Sequence, residues 1–301
     1  MTVRKFSTRW LDALSPRLAR RTVDSYRFLL RAYILPSIGS RDIVHLKPKH
    51  VREVIASPIL NGHSRTAQQV HCLVCQILKA AIASGHLKQF AFEKLDRPQH
   101  DPHLTSWWSP EDGARFIRLR QLALDPHLIV WILALCLGLR RGELCGLMWS
   151  DFDFDAKTVT ISRQRVTLDS GETILTHPKS KSSVRILPIS EELIQVLKPH
   201  AIHPSQFVAL SATTGSPITP SGLDQAWRRA VKECAGQVPP ITLHGLRHTC
   251  GAAAVRAGVS MKVLQTIMGH SSMAITSQIY AHADRKVIQT AVDKICSVLL
   301  Y

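Results

Sequence analysis

Leu243-His244-Gly245-Leu246-Arg247-His248, then Gly269-His270, then Tyr280 between Ile279 and Ala281-His282, is the stretch on which the reading of this chain turns. A histidine and an arginine three apart share one face of a helix. Upstream, Gly138-Leu139-Arg140-Arg141-Gly142-Glu143-Leu144 follows a long apolar run, and Pro178-Lys179-Ser180-Lys181 reads as a basic hairpin between the two. Two arginines, a lysine, two histidines and a tyrosine make a phosphate-handling set with a nucleophile. Breaking a phosphodiester with a side-chain hydroxyl needs a nucleophile, charge on the non-bridging oxygens, an acid for the leaving oxygen, and in-line geometry. Tyrosine suits reversible work, because phenolate leaves well and the phosphotyrosyl bond conserves the energy of the bond broken. No ATP is then needed, and the chain has no glycine-rich Lys-Ser/Thr phosphate loop. Asp151, Asp153 and Asp155 fall on a turn into a strand and make no two-metal cluster, so neither cofactor nor metal is expected.

The bulk properties fit a polyanion as partner. The 301 residues carry 38 Lys and Arg against 22 Asp and Glu, a net charge of +16. Residues 1–100 hold 17 of those bases and 6 of the acids, so the electrostatic grip is expected mainly in the first third. A hydrophobic content of 45% with 20% charged residues describes a globular protein. No apolar run approaches the roughly 20 residues of a membrane span; Leu128 to Leu139 reads as a buried core helix. Met1-Thr2-Val3-Arg4-Lys5 has no apolar core behind it and is not a signal peptide. Seven cysteines without framework spacing point to a reducing cytoplasm. His71-Cys72 with Cys75 lies inside a helical apolar pattern and reads as core packing, not as a metal site.

The expected fold class is mainly α with a small antiparallel β-sheet. Residues 1–96 form an all-helical unit, with helices over 22–31 (stopping before Pro36), 50–55 and 64–84 (capped at Gly85). Residues 97–106, with two prolines and no periodicity, form a linker. Residues 107–301 form a mixed unit opening at Ser109-Pro110-Glu111-Asp112, an N-cap serine with proline at the first helical position. Its helices are expected at 110–120, 126–148, 190–198, 220–234, 243–257, 260–268 and 286–299. Strands at 158–161, 173–175 and 184–187 are expected to share one small sheet.

With these motifs in order and at this spacing, the chain resembles the tyrosine recombinases of the phage-integrase family along essentially its whole length. Gly-Leu-Arg-x-x-Glu matches at Arg140 and Glu143, His-x-Leu-Arg-His at His244 and Arg247, Gly-His at His270, and the nucleophile at Tyr280. The resemblance implies a helical SAM-like core-binding domain at 1–96 and a catalytic domain at 107–301, closing on DNA as a C-clamp. It implies that Tyr280 attacks the scissile phosphate to give a 3′-phosphotyrosine and a free 5′ hydroxyl. Arg140 and Arg247 clamp the non-bridging oxygens, with Glu143 supporting Arg140. His244 exchanges a proton near the nucleophile and His270 donates a hydrogen bond to the phosphate. A hairpin lysine protonates the leaving oxygen. Lys179, first of its pair, is expected in that role, with Lys181 on the same strand face supporting it.

The implied partners are double-stranded DNA at attachment or core sites, three further copies in a synaptic tetramer with a Holliday-junction intermediate, and accessory DNA-bending or directionality proteins. No membrane is involved, and the chain is expected in the bacterial cytoplasm or nucleoid. The core-binding pattern begins almost at Met1, so the arm-binding module of many phage-type members is expected to be absent. Two rivals stay open: a type IB topoisomerase or resolvase using the same constellation, and a DNA-binding relic without catalysis. His244 and His248, four apart, lack the third ligand of a zinc site, and His248 is expected to be structural. Arg141 is expected to point about 100° away from Arg140 along one helix, towards surface or DNA backbone. Val287, Ile288, Ala291, Val292, Ile295, Val298 and Leu299 form an amphipathic tail stripe that fits its own domain or a neighbouring protomer equally well.

Overall fold

The computed structural model describes residues 1–60, 62–99, 106–177, 184–269 and 285–300. The chain divides into two compact units, 1–103 and 104–301, each with its own core.

The first unit is helical: α1 (Val3–Leu14), α2 (Arg20–Leu29), α3 (Leu35–Ile38), α4 (Pro48–Leu60) and α5 (Ser64–Ala83). Its centre is α5, whose Ala67, Val70, Leu73, Val74, Ile77, Leu78 and Ala81 recur at helical spacing and are all buried. That spacing turns Cys72 out to solvent and leaves Cys75 half-buried. Core packing therefore does not hold for Cys72, and among the described residues no group of three His, Cys, Asp or Glu could hold a metal.

The helix expected to stop before Pro36 instead continues through it, because a π-helical turn, Leu30–Ile34, joins α2 to α3. In a regular α-helix the Pro36 ring would strike the carbonyl of Ala32, and the wider turn moves that carbonyl away. α4 likewise outruns its expected 50–55 and carries Pro58 inside it.

The second unit wraps helices around α7 (Leu128–Leu137), in which every residue from Ile129 onward is buried. Before it comes α6 (Pro110–Leu122), capped as the sequence implies, with Ser109 Oγ accepting from Asp112 N at 3.1 Å. The single helix expected over 126–148 is two. Gly138 takes a left-handed φ of 58° that ends α7, and α8 (Arg141–Gly146) starts anew after an extended Arg140. A Cβ at Gly138 would also lie 3.2 Å from Cys250 Sγ, a tight contact added to a backbone conformation that favours glycine.

Among the described residues five strands follow: β1 (Phe152–Asp153), β2 (Thr158–Ile161), β3 (Gln164–Thr167), β4 (Thr173–Thr176) and β5 (Arg185–Pro188). They make two antiparallel sheets, β1-β2-β5 and β3-β4, where one was expected. The 173–175 strand pairs with β3, Gln164 opposite Thr176, and not with β2. The remaining helices are α9 (Glu191–Leu197), α10 (Pro220–Glu233), α11 (Leu243–Arg256), α12 (Met261–Met268) and α13 (Arg285–Leu300). α13 lies on its own unit, against α6, α7, α11, α12 and β5. Val292, Ile295, Cys296 and Leu299 of α13 are fully buried.

Candidate active site

Four of the expected site residues meet in the second unit: Arg140, Glu143, His244 and Arg247. Lys179, Lys181, His270 and Tyr280 lie outside the described residues. Arg140 is the N-cap of α8, with extended backbone at φ −73° and ψ 152°. Glu143, three residues on, turns back and accepts from Arg140 N and Arg140 Nη1, both at 2.9 Å. The acid therefore fixes both the backbone and the guanidinium of Arg140. Glu143 is 2% exposed, whereas the Arg140 side chain keeps about a third of its surface open.

Because Arg140 is not helical, the expected helical offset of Arg141 does not apply. Arg141 opens α8 and pairs with Asp224 on α10.

Arg247 is almost wholly buried on α11, where its Nη1 donates to Gly138 O at 2.5 Å and its Nη2 to Met268 O at 2.6 Å. One guanidinium thus joins the turn before Arg140 to the end of α12. His244 stands one turn earlier on α11, exposed, with the His248 ring edge-on to it at 4.8 Å. That contact places His248 beside the site on the open face of α11, not in the core.

Arg185 was not among the expected site residues. It projects inward from β5, donating from Nη1 and Nη2 to the two Glu143 oxygens at 3.1 and 3.0 Å and from Nε to Ile267 O at 2.8 Å. The alternation of Val184-Arg185-Ile186-Leu187 holds the signal: Ile186 is 64% exposed while Arg185 and Leu187 face in. A charged residue sharing a strand face with a core leucine needs a buried partner.

The electrostatics follow from three guanidiniums gathered around one carboxylate. Burial alone would raise the Glu143 carboxyl, but the hydrogen bonds and charge of Arg185, and then those of Arg140, hold it below the ordinary range. Burial and the charge of Arg140 push Arg247 down to about 10, with Glu143 only partly offsetting them. The cluster is short of negative charge, and a bound phosphate would supply it. Although one side of its ring is open to solvent, partial burial lowers His244, as do the charges of His248, Arg247 and Arg140, so its imidazole is neutral at pH 7 and able to take a proton. Guanidiniums in a fixed, largely desolvated fork can bind non-bridging phosphate oxygens more strongly in the transition state than in the ground state.

Known proteins share this framework. Residues 121–286 match the model of the phage integrase family, and residues 3–97 match that of the phage integrase central domain. The transposase from transposon Tn916 of Enterococcus faecalis is 32% identical over 293 residues, covering 90% of this chain and 72% of that protein. A XerC-like tyrosine recombinase of Caldanaerobacter subterraneus is 31% identical over 196 residues, 57% of this chain and 50% of its own length, so the match spans half of that relative. Among solved structures, the Tn1549 transposon integrase in complex with circular intermediate DNA superposes with a TM-score of 0.78 at 23% identity, covering 98% of this chain and 99% of that one. A lambda integrase tetramer bound to a Holliday junction gives 0.69 at 19% identity, over 91% of this chain and 79% of that one. These two likenesses establish the fold, mainly α with small antiparallel sheets. With the two family models matching either side of the linker region, this chain belongs to the phage integrase family of tyrosine recombinases.

Proposed function

We propose that this chain is a site-specific DNA recombinase that integrates or excises a mobile element through a 3′-phosphotyrosyl intermediate. The observation that carries the reading is the cluster of Arg140, Arg247 and Glu143, a cationic fork, buried at Arg247 and Glu143 and open at Arg140, with an excess of positive charge. In the proposed step Tyr280 Oη attacks the scissile phosphorus. The phosphorus–oxygen bond to the 5′ side breaks, and the DNA stays attached through its 3′ phosphate. His244 takes the phenolic proton, and Lys179, supported by Lys181, gives one to the departing 5′ oxygen. Arg140 and Arg247 hold the non-bridging oxygens and His270 adds a hydrogen bond. Attack of a 5′ hydroxyl from a second duplex reverses every transfer and joins new partners.

The basic helical unit at 1–96 binds the core site, 97–106 links it to the catalytic domain at 107–301, and four copies act on two DNA segments through a Holliday junction. Accessory DNA-bending or directionality proteins belong to the same reading, as does a place of action in the bacterial cytoplasm or nucleoid.

Covalent trapping tests it. A nicked suicide substrate carrying the element's end sequences releases the short 5′-hydroxyl fragment, so cleavage cannot reverse. A denaturation-resistant protein–DNA adduct joined through the 3′ end is expected. Relaxation of supercoiled DNA lacking any such site would favour a topoisomerase, and specific binding without an adduct a relic.

The lowered His244 imidazole sets the pH dependence. Its neutral form is the one that accepts a proton, so cleavage is gained as pH rises through a value below the ordinary 6.5 and holds until the lysine acid loses its proton. Single-turnover cleavage at sub-saturating DNA, which reports the free enzyme, is expected to show its acid limb centred below pH 6.5. A limb centred higher would remove His244 from the role of base.

A further inference from the structure

Three consecutive carbonyls at the end of α12, those of Ile267, Met268 and Gly269, accept from three arginines. The donors are Arg185 Nε at 2.8 Å, Arg247 Nη2 at 2.6 Å and Arg140 Nη2 at 2.5 Å. The last carbonyls of a helix have no partners within it and carry partial negative charge. Here the donors arrive from three separate elements: β5, α11 and the start of α8. Gly269 then takes a left-handed φ of 61°, and a Cβ there would meet Arg185 Nη1 at 3.0 Å. The chain thus leaves α12 through a collar of guanidiniums, immediately before His270.

We infer that Arg185 is a positioning residue for strand cleavage: by holding the Glu143 carboxylate and the end of α12 together, it sets where the Arg140 guanidinium stands. The inference rests on the proposed role of Arg140 and Arg247 as the phosphate clamp. Glu143 has two oxygens and a single negative charge, shared between Arg140 and Arg185. Without Arg185 more of that charge falls on Arg140, which draws its guanidinium to the carboxylate and away from phosphate. The end of α12 loses its grip on β5 in the same stroke.

A stabilising role does not by itself account for arginine at this position. A buried ion pair gains little over well-packed apolar side chains of similar volume, and Arg185 shares its strand face with the core residue Leu187.

The test compares Arg185→Met, Arg185→Lys, Glu143→Gln and the double variant Arg185→Met/Glu143→Gln with the parent chain. Thermal unfolding, non-covalent DNA affinity and the single-turnover rate of adduct formation at saturating DNA are measured for each. Arg185→Met is expected to lower the saturated rate about 10²-fold, the scale of a one-ångström misplacement, with Kd changed less than about 3-fold. Removing the stranded carboxylate should recover part of that loss, so the double variant is expected to cleave about 10-fold faster than Arg185→Met alone.

Arg185→Lys keeps a charge near Glu143 but cannot span both carboxylate oxygens and Ile267 O, and about a 10-fold loss is expected. It carries the test if the methionine variant does not fold. A folded Arg185→Met or Arg185→Lys chain cleaving at the parental saturated rate overturns the inference. So do losses in Arg185→Met and Glu143→Gln that merely multiply in the double variant. Absence of an adduct from the parent chain is a different failure: it removes the recombinase reading itself, and the inference with it.

Discussion

A Tyr280→Phe chain is expected to bind its DNA site and to leave no covalent adduct on a suicide substrate. The exchange deletes a single oxygen, the only atom of that side chain able to bond to phosphorus, while keeping the ring and its packing surface. Binding should change little, since a hydroxyl contributes at most about one hydrogen bond, roughly 1 kcal/mol or under 10-fold in Kd. Cleavage should fall below detection, because the guanidinium cluster can stabilise a transition state only if an attacking group exists. The chain has four tyrosines. Tyr26 and Tyr33 lie in the first unit, half-buried or packed, with Tyr26 Oη donating to Gln76 Oε1 at 3.2 Å. Should an adduct persist in the variant, peptide mapping would place it on one of the others, and the assignment of Tyr280 would fall.

Exchange of Glu143 for alanine should strongly destabilise the second unit. The carboxylate is 2% exposed and accepts from Arg140 twice and from Arg185 twice. Removing it takes from the nearly buried Arg185 the carboxylate to which it donates twice, beside guanidiniums of the same sign. Breaking a buried pair from one side costs about 3–5 kcal/mol. In a domain of this size that lowers Tm by roughly 6–20 °C. Glu143→Gln keeps the shape and one acceptor, and its loss should be smaller.

The pH sign separates charge from shape. The folded Glu143 carboxyl is held below its ordinary 4.5, so the stability it contributes is full above that value and is lost as pH falls towards the folded one. The stability gap between parent and Glu143→Gln is therefore expected to close on acidification below about pH 4.5, as read by chemical denaturation across pH. A gap constant across that range would mean that shape, not charge, governs the site.

Most of the helices in the second unit are legible because periodicity and the Ser109-Pro110 start agree there, and the structure adds side-chain caps at Thr219, Thr242 and Ser260. Arg140, Glu143, His244 and Arg247 were legible by motif, and the structure brings them together. What escaped has particular causes. Gly138 sits inside an apolar run that looks helical, and only the packing of Cys250 and Met268 against it reveals the left-handed turn. β3 escaped because Gln164, Arg165, Val166 and Thr167 are all half-buried, which leaves no alternation to read. Arg185 escaped because Val184 and Ile186, the apolar partners in the pattern, are the ones facing solvent. In the first unit, Pro36 reads as a stop because a π-helical turn has no local sequence mark.

The burial of α13 has a consequence for synthesis. Translation proceeds from the N-terminus at about 5–20 residues per second, so α13 is the last described element to leave the ribosome. Until it does, the trough between α6, α7 and α11 that receives Val292, Ile295, Cys296 and Leu299 stands open. The first unit, with a core of its own, can fold on the nascent chain while the second is unfinished. Closure of the second unit thus waits on α13, whose buried face completes its core.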